Sequence, residues 1–445
     1  MKRLNKRKKH PFITGTLILS IAGLITRFLG FLNRIYLSQL IGAKELGIYQ
    51  LIFPVYMIAF AFCCHGIELS LSQMIASVPK DHASSTRPSM VRSGLAISLT
   101  LSLFFSLLIY HYADFISTVL LREENTSICL KLMAPVLPFT AVRCCLHGYY
   151  VGCKKTIVPA IAQLIEQIVR VFLIWLIAES YHANMDFSAS LAVCGMVAGE
   201  IAGTIYTYIS YKIQTKSICE KSNNRRHKGF LRLPYGKELL KRAVPLTTNK
   251  MSLTLTSSLE SVLIPFMLTN YYQNQDLALS LYGVLTGMAL PFIMFPSTLT
   301  NSLSVLLLPT IAEADAAGNK KQLCTIVKKT VMLCLTLGFT ALFIFSLFGK
   351  QLGFYVFHEK SAGDFLFILS FLCPFLYLTT TGSSILNGLG YMKSAFFYNM
   401  TAILIRIGFI LLAIPQTGIQ GYLLGLLTAY LALTVLQWNK IRRSI

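Results

Sequence analysis

Long apolar runs separated by short polar stretches fill the 445 residues of this chain. They lie at about 12–42, 46–76, 93–113, 126–150, 157–179, 187–211, 243–270, 279–312, 330–349, 363–388, 395–413 and 420–438. A helix crosses the hydrocarbon of a bilayer with about 20 apolar residues, so the pattern predicts twelve membrane-spanning helices. Several runs exceed that length and must tilt or kink. Pro54, Pro138, Pro291, Pro296 and Pro374 are placed to supply the kinks.

Composition narrows the picture. Hydrophobic residues make up 54% of the chain and charged ones 13%, against roughly 25% charged in a soluble domain. A water-soluble enzyme is excluded, and the expected fold class is an all-α polytopic membrane protein. The net charge of +22 would point to nucleic acid in a soluble protein. Its distribution points to topology instead. With the N-terminus in the cytoplasm, 29 Lys and Arg fall in cytoplasmic segments, and only Lys44, Arg122, Lys350 and Lys360 fall on the opposite side. Short cytoplasmic loops carry such a bias, so both termini are expected inside, with no nucleic-acid partner. The opening MKRLNKRKKH and its apolar continuation read as a retained first helix, because the run contains Arg27 and Arg34 and lacks a small-x-small cleavage site. Most of the eleven cysteines lie in apolar runs, no CxxC pair occurs, and the eight histidines show no metal-ligand spacing, so neither a disulfide framework nor a metal site is expected.

An internal repeat organises the spans. A shift of 236 residues aligns Pro138-Phe139 with Pro374-Phe375, Gly152 with Gly388, Arg170 with Arg406, Gly47 with Gly283, and Ile75-Ala76 with Ile311-Ala312. The division expected is a basic cytoplasmic N-terminus (1–11), an N-lobe of six helices (12–211), a basic cytoplasmic linker (212–242), a C-lobe of six helices (243–438) and a cytoplasmic tail (439–445). An even number of spans per lobe makes the repeat parallel, with two six-helix lobes facing each other across a central cavity and alternating access as the motion.

No GxxxxGK[ST] loop, GxSxG elbow or HExxH motif is present, so neither nucleotide hydrolysis nor an embedded hydrolase is expected, and no cofactor. The informative residues are the ionisable ones within spans, each of which costs about 2.5–3.5 kcal/mol or more at mid-bilayer unless it faces a cavity or a partner. Seven are basic (Arg27, Arg34, Lys131, Arg143, Arg170, Lys250 and Arg406) and four acidic (Glu68, Glu166, Glu200 and Glu260). Arg27 and Arg34 share one face of the first helix, about 10 Å apart along its axis. Two guanidinium groups so placed suit an anionic headgroup, whose phosphate oxygens they grip in bidentate fashion, and not a cationic cargo. The alternative is that Arg27 pairs with a carboxylate such as Glu68 while Arg34 snorkels to the outer interface.

Lys250 and Glu260 lie on helix seven, the repeat counterpart of helix one. Lys250 either serves the cavity or snorkels to the cytoplasmic surface. Glu260 sits deeper and is expected to meet an arginine of the N-lobe in a pair that breaks during the cycle. Glu68 admits three roles: cavity ligand, proton site or ion-pair partner. Glu166 and Arg170, four apart with the acid first, read as a structural ion pair. Arg143 and Arg406 have no evident partner, and Glu200 lies in GEIAG among small residues that favour close helix packing; these three read as structural.

Three stretches together resemble a known family. ITGTLILSIAGLITRFLGFLNRIYLSQLIGAKELGIYQL (13–51) is similar to the first helix and loop of the stage V sporulation protein B group of oligosaccharide and lipid flippases. GYYVGCKKTIVPAIAQLIEQIVRV (148–171) resembles that group's central signature, and LYGVLTGMALPFIMFPSTLTNSLSVLLLPTIAEA (281–314) its eighth-helix segment. The resemblance places the chain in the superfamily of multidrug, oligosaccharidyl-lipid and polysaccharide exporters, which includes lipid II flippases. The group more often shows Pro and Lys where this chain has Glu68 and Gln73, and many members carry fourteen helices where the pattern here gives twelve.

The resemblance implies a flippase of the bacterial plasma membrane that moves a polyprenyl-diphosphate-linked saccharide, such as the peptidoglycan precursor lipid II, to the outer leaflet, with a role in sporulation. Arg27, Arg34 and Lys250 would bind the diphosphate in a cavity lined by helices one, two, seven and eight, with Glu260 and Glu68 close by. Membrane lipids and cell-wall synthesis proteins are the other partners it suggests, with coupling to membrane potential or to a monovalent cation. Two other classes stay open. A Na⁺- or H⁺-coupled drug or metabolite antiporter of the same superfamily calls for dominant membrane carboxylates. A non-transporting scaffold for cell-wall assembly predicts that loss of both Arg27 and Arg34 is harmless.

Overall fold

The computed structural model describes residues 11–79, 83–180, 188–221 and 235–444. The basic N-terminal stretch 1–10 and the centre of the basic linker, 222–234, lie outside the described residues. The described residues are helical throughout, with no strand among them. The N-lobe elements are α1 (Pro11–Phe60), a π-turn (Ala61–His65), α2 (Gly66–Ser77), α3 (Ala83–His111), α4 (Ala113–Phe115), a second π-turn (Ile116–Leu121), α5 (Thr126–Met133), α6 (Val136–Gly152), α7 (Ile157–Ser180) and α8 (Ala189–Lys221). The C-lobe elements are α9 (Gly236–Tyr272), α10 (Gln275–Gly283), a third π-turn (Val284–Ala289), α11 (Leu290–Met294), α12 (Ser297–Ala316), α13 (Lys320–Phe357), α14 (Lys360–Ser370), α15 (Cys373–Gly388), α16 (Met392–Leu412), α17 (Ile414–Thr417) and α18 (Ile419–Ser444).

Nine of the described helical stretches are long and apolar enough to cross a membrane, and two bent pairs, α5 with α6 (45°) and α14 with α15 (61°), each add one more. The first stretch, Ile21–Ser77, has 57 residues, about 85 Å of helix against a hydrocarbon core about 30 Å thick. It breaks at Gly42, whose φ of 76° lies in the left-handed region that glycine enters without a Cβ penalty. Two spans result, so the described residues hold twelve, and this is an all-α, multi-pass membrane protein of two six-helix lobes. Successive spans alternate in direction. One end of the bundle carries the Gly42 turn and the α9–α10 turn; the other carries the α12–α13 turn and the turn at Gly390, and is called here the Gly390 end.

The proline kinks are partly as expected. Pro374 begins α15 at the 61° bend, and Pro296 separates α11 from α12. The α5–α6 bend lies at Ala134 and Pro135, one turn before Pro138, and Pro54 leaves the helical dihedrals of α1 intact. A proline in the first turn of a helix meets no clash, which is why Pro138 is tolerated without bending the chain further.

The repeat is visible at the level of atoms. A Cβ on Gly152 would lie 2.7 Å from the Ser72 carbonyl oxygen and 2.9 Å from Ile75; on Gly388 it would lie 3.0 Å from both the Leu308 carbonyl oxygen and Ile311. Both contacts are related by the same shift of 236 residues. Where the lobes meet, the repeat partners Gly47 and Gly283 touch each other, and a Cβ on either would overlap a carbonyl oxygen of the facing lobe, Leu279 or Ala43. Small residues at such crossings let helix backbones close up in a membrane.

Core packing differs between the two ends. Toward the Gly42 end a single apolar core runs through both lobes, uniting Leu46, Leu51 and Ile52 with Leu279, Leu285, Phe345 and Tyr377. Toward the Gly390 end there are two separate cores. One joins Ile67, Leu71, Met74 and Tyr150 of the N-lobe with Leu239 and Ala243 of α9; the other holds Leu307, Ile311, Val327 and Ile385 of the C-lobe. The lobes are thus sealed at one end and parted at the other.

Candidate functional site

Most charges inside the spans cancel locally. In the N-lobe, Arg143 on α6 grips Glu200 of α8 with two bonds, Nε to Oε2 at 2.9 Å and Nη2 to Oε1 at 2.8 Å. It also lies 3.4 Å from Glu166, which pairs with Arg170 one turn along α7 at 2.6 Å. Gly195, Gly199 and Gly203, spaced four apart on α8, bring that helix against the backbone of α7 and so put Glu200 within reach. Glu68 on α2 sits 2.6 Å from Nδ1 of His147 on α6. In the C-lobe, Glu260 accepts a bond from the Tyr422 hydroxyl at 2.9 Å and pairs with Arg406 at 3.0 Å. Lys131 pairs with Asp114 at the Gly42 end.

These pairings correct three sequence-based expectations. Glu260 meets no arginine of the N-lobe; its partner is Arg406 of its own lobe, 146 residues away, a distance no local pattern reveals. Glu68 is engaged by His147 and does not pair with Arg27. Arg34 does not snorkel: its side chain reaches across to the C-lobe, where Nη1 donates to the Thr286 carbonyl at 3.4 Å. Arg143, for which the sequence offers no evident partner, is held by two glutamates. His147 was not singled out, although an imidazole one turn from an intramembrane arginine was a signal to read.

What remains are Arg27, Arg34 and Lys250. Among the described residues each of the four span carboxylates has a cationic or imidazole partner, and these three cations have no carboxylate. Their positions follow from helix geometry. Phe31 stacks on Phe295 at 4.9 Å and meets Phe292 edge-on at 5.1 Å, so this face of α1 points at the C-lobe. Arg27 lies one turn from Phe31 on the same face, toward the Gly390 end, and is exposed. Arg34 lies on the other side of the aromatic layer, half-buried, with its single long bond to Thr286. Lys250 on α9 is exposed, within electrostatic range of His65. An arginine facing hydrocarbon is far more costly than one facing water, so Arg27 marks the space between α1 and α12 as a wet cleft open at the Gly390 end. Phe28, Phe31, Phe292 and Phe295 form its floor.

Beyond the floor, polar contacts across the lobes reinforce the seal. Lys44 pairs with Asp276 at 2.7 Å, Gln275 donates to Glu123 at 2.6 Å and to the Arg122 carbonyl at 2.8 Å, and the Arg122 guanidinium lies 4.0 Å from the centre of the Phe266 ring.

Comparison with known proteins agrees with this architecture. The chain is 27% identical over 438 residues to stage V sporulation protein B of Bacillus subtilis (strain 168), covering 96% of this chain and 83% of that one. It is 20% identical over 458 residues to the lipid II flippase MurJ of the same organism, covering 97% and 82%. Among solved structures, an inward-facing multidrug resistance MATE family transporter of the MOP superfamily superposes with a TM-score of 0.68 at 15% identity, covering 96% of this chain and 98% of that one. The lipid II flippase MurJ in an inward closed conformation gives 0.67 at 15% identity, covering 96% and 87%. Residues 253–412 also match the family described as MatE. Residues 12–315, more than half of the chain, match the family described as polysaccharide biosynthesis protein, and the chain belongs to that family.

Proposed function

We propose that this chain is a flippase of the bacterial plasma membrane that carries a polyprenyl-diphosphate-linked saccharide from the inner to the outer leaflet by alternating access. The observation that carries this reading is the set of span cations without carboxylates, Arg27, Arg34 and Lys250, at the boundary between the lobes. A drug antiporter needs free carboxylates in its path, and the four span glutamates are all engaged. The names of the relatives, a sporulation protein and a lipid II flippase, support lipid II as the cargo and sporulation as the setting.

The 29 Lys and Arg assigned to one side of the membrane place the Gly390 end and both termini in the cytoplasm, so the cleft faces the leaflet where such lipids are made. The rocking bodies are 12–211 and 243–438, joined by the linker 212–242. The diphosphate enters beside α1 and α12, meets Arg27 and Lys250, and its tail stays in the bilayer. When the aromatic floor parts, Arg34 exchanges the Thr286 carbonyl for phosphate oxygens, about 10 Å further along the path. A bidentate contact to a phosphate is stronger than one long bond to a neutral carbonyl, which gives the handover its direction. A cationic site returning empty senses the membrane potential at about 2.3 kcal/mol per charge per 100 mV; flipping that ignores voltage in vesicles would remove this coupling.

The reading is tested by leaflet transfer of a labelled polyprenyl-diphosphate saccharide in proteoliposomes, comparing the intact protein with an Arg27→Ala, Arg34→Ala double variant. Two charge-assisted contacts at about 1.5–3 kcal/mol each set the expected loss at roughly 100-fold or more. A folded double variant that transfers normally refutes the site.

A further inference from the structure

One ionisable cluster has no task in the scheme above. Glu68 and His147 face each other at 2.6 Å between α2 and α6, whose backbones touch where a Cβ on Gly148 would lie 2.6 Å from the Glu68 carbonyl oxygen. The cluster sits on the seam between the lobes. Gly66, two residues before Glu68, rests on α9: a Cβ there would strike Thr247 Oγ1 and come within 2.6 Å of the Ala243 carbonyl oxygen. His65 lies next to that contact on one side of the seam, and Lys250, three residues beyond Thr247, acts on it from the other.

The remaining neighbours are accounted for. Cys144, one turn before His147 on α6, hydrogen-bonds Glu68 through its thiol, and Arg143 is neutralised by Glu200 and Glu166. From α3, the Ser98 hydroxyl donates to the Cys63 carbonyl in the π-turn at 2.6 Å, and Arg92 is exposed. A π-turn frees a carbonyl from the helical ladder and recurs at functional sites, so the helix is already loosened one turn from the cluster.

We propose that the Glu68–His147 pair is a proton-binding site that loosens the α2–α9 seam when protonated. This inference rests on the rocking motion proposed above. With both imidazoles neutral, Glu68 and Lys250 are the charged members and attract across the seam. With His65 and His147 protonated, the cluster carries two net positive charges, and His65 faces Lys250 as like to like. Histidine is the side chain whose ordinary range, near 6.5, makes this change between about pH 5 and 8. Loss of protons clamps the seam and gain of protons frees it, which ties the resting position of the lobes to cytoplasmic pH.

The test does not depend on transport. Spin labels at the exposed positions Leu69 of α2 and Leu240 of α9, introduced as Leu69→Cys and Leu240→Cys, report the seam distance in lipid nanodiscs between about pH 5 and 8. The long-distance population is expected to grow as pH falls, with a midpoint within about a unit of 6.5. His147→Asn and Glu68→Gln are each expected to abolish the shift while His65→Asn retains part of it, with melting temperatures confirming that the variants fold. A distance that does not change with pH, a shift that survives both His147→Asn and Glu68→Gln, or one lost only in His65→Asn overturns the proposal. If the shift is found and lipid transfer is not, the proton site stands and the cargo assignment falls.

Discussion

The two seams between the lobes are built from repeat-related helices, yet one is shut and the other open at the Gly390 end. At the α2–α9 seam, Leu239 and Ala243 sink into a shared core with Ile67 and Leu71, and Gly66 removes the side chain that would hold the backbones apart. At the α1–α12 seam, the contact thins beyond the aromatic layer, leaving Ile21, Ile25, Arg27 and Phe28 of α1 and Leu299 of α12 exposed. The sequence explains the difference. A shift of 236 residues places Arg3 and Arg7 opposite Leu239 and Ala243, and Ser302 opposite Gly66. Two arginines cannot enter an apolar core without partners, so the first seam has no means to close in the same manner. The duplication supplied two equivalent joints, and a few substitutions turned one into a hinge and the other into a mouth.

This comparison can be broken in graded steps. The largest effect is expected from Glu200→Gln, which leaves Arg143 buried without its bidentate partner in the lobe that backs the open seam; about 3–5 kcal/mol of stability should be lost, read as a fall in the melting temperature of the purified protein. Next is Gly66→Leu, which overpacks the closed seam by about 1–3 kcal/mol and should part α2 from α9, making the two seams alike in a spin-label distance measurement. Lys44→Met removes an exposed ion pair across the sealed Gly42 end; pairs of that kind contribute about 0–1 kcal/mol, so the population sealed at that end should change less than about fivefold. Smallest is Asp114→Asn, away from both seams, which should leave both distances unchanged. There the Lys131 ammonium, with the Ser127 hydroxyl, holds the exposed carboxyl below its ordinary value of 3.8. Its contribution is therefore present above that pH and lost as pH falls through the lower folded-state value, and calorimetry from neutral to acid pH would show the variant insensitive to that range.

Span number, lobe architecture and the repeat were legible because each rests on a long-range average: twenty apolar residues per crossing, charge bias over many loops, one shift over two hundred residues. The cationic surplus was legible for the same reason, as a count. Pairing was not. Glu166 with Arg170 is a local pattern on one helix, but Arg143 with Glu200, Glu68 with His147 and Glu260 with Arg406 join residues 57, 79 and 146 positions apart, brought together only by which helix faces which. The placement of Arg27 and Arg34 on opposite sides of an aromatic layer was equally hidden, because Phe292 and Phe295 come from the other lobe.

The central claim is that cations left without carboxylates recognise a diphosphate. Its most direct test is the transfer of a polyprenyl-diphosphate saccharide relative to the same saccharide on an uncharged polyprenyl lipid, measured in the same proteoliposomes for the intact protein and for the Arg27→Ala, Arg34→Ala, Lys250→Ala variant. The account predicts strong preference for the diphosphate by the intact protein and loss of that preference in the variant. Equal transfer of both lipids by the intact protein would contradict it.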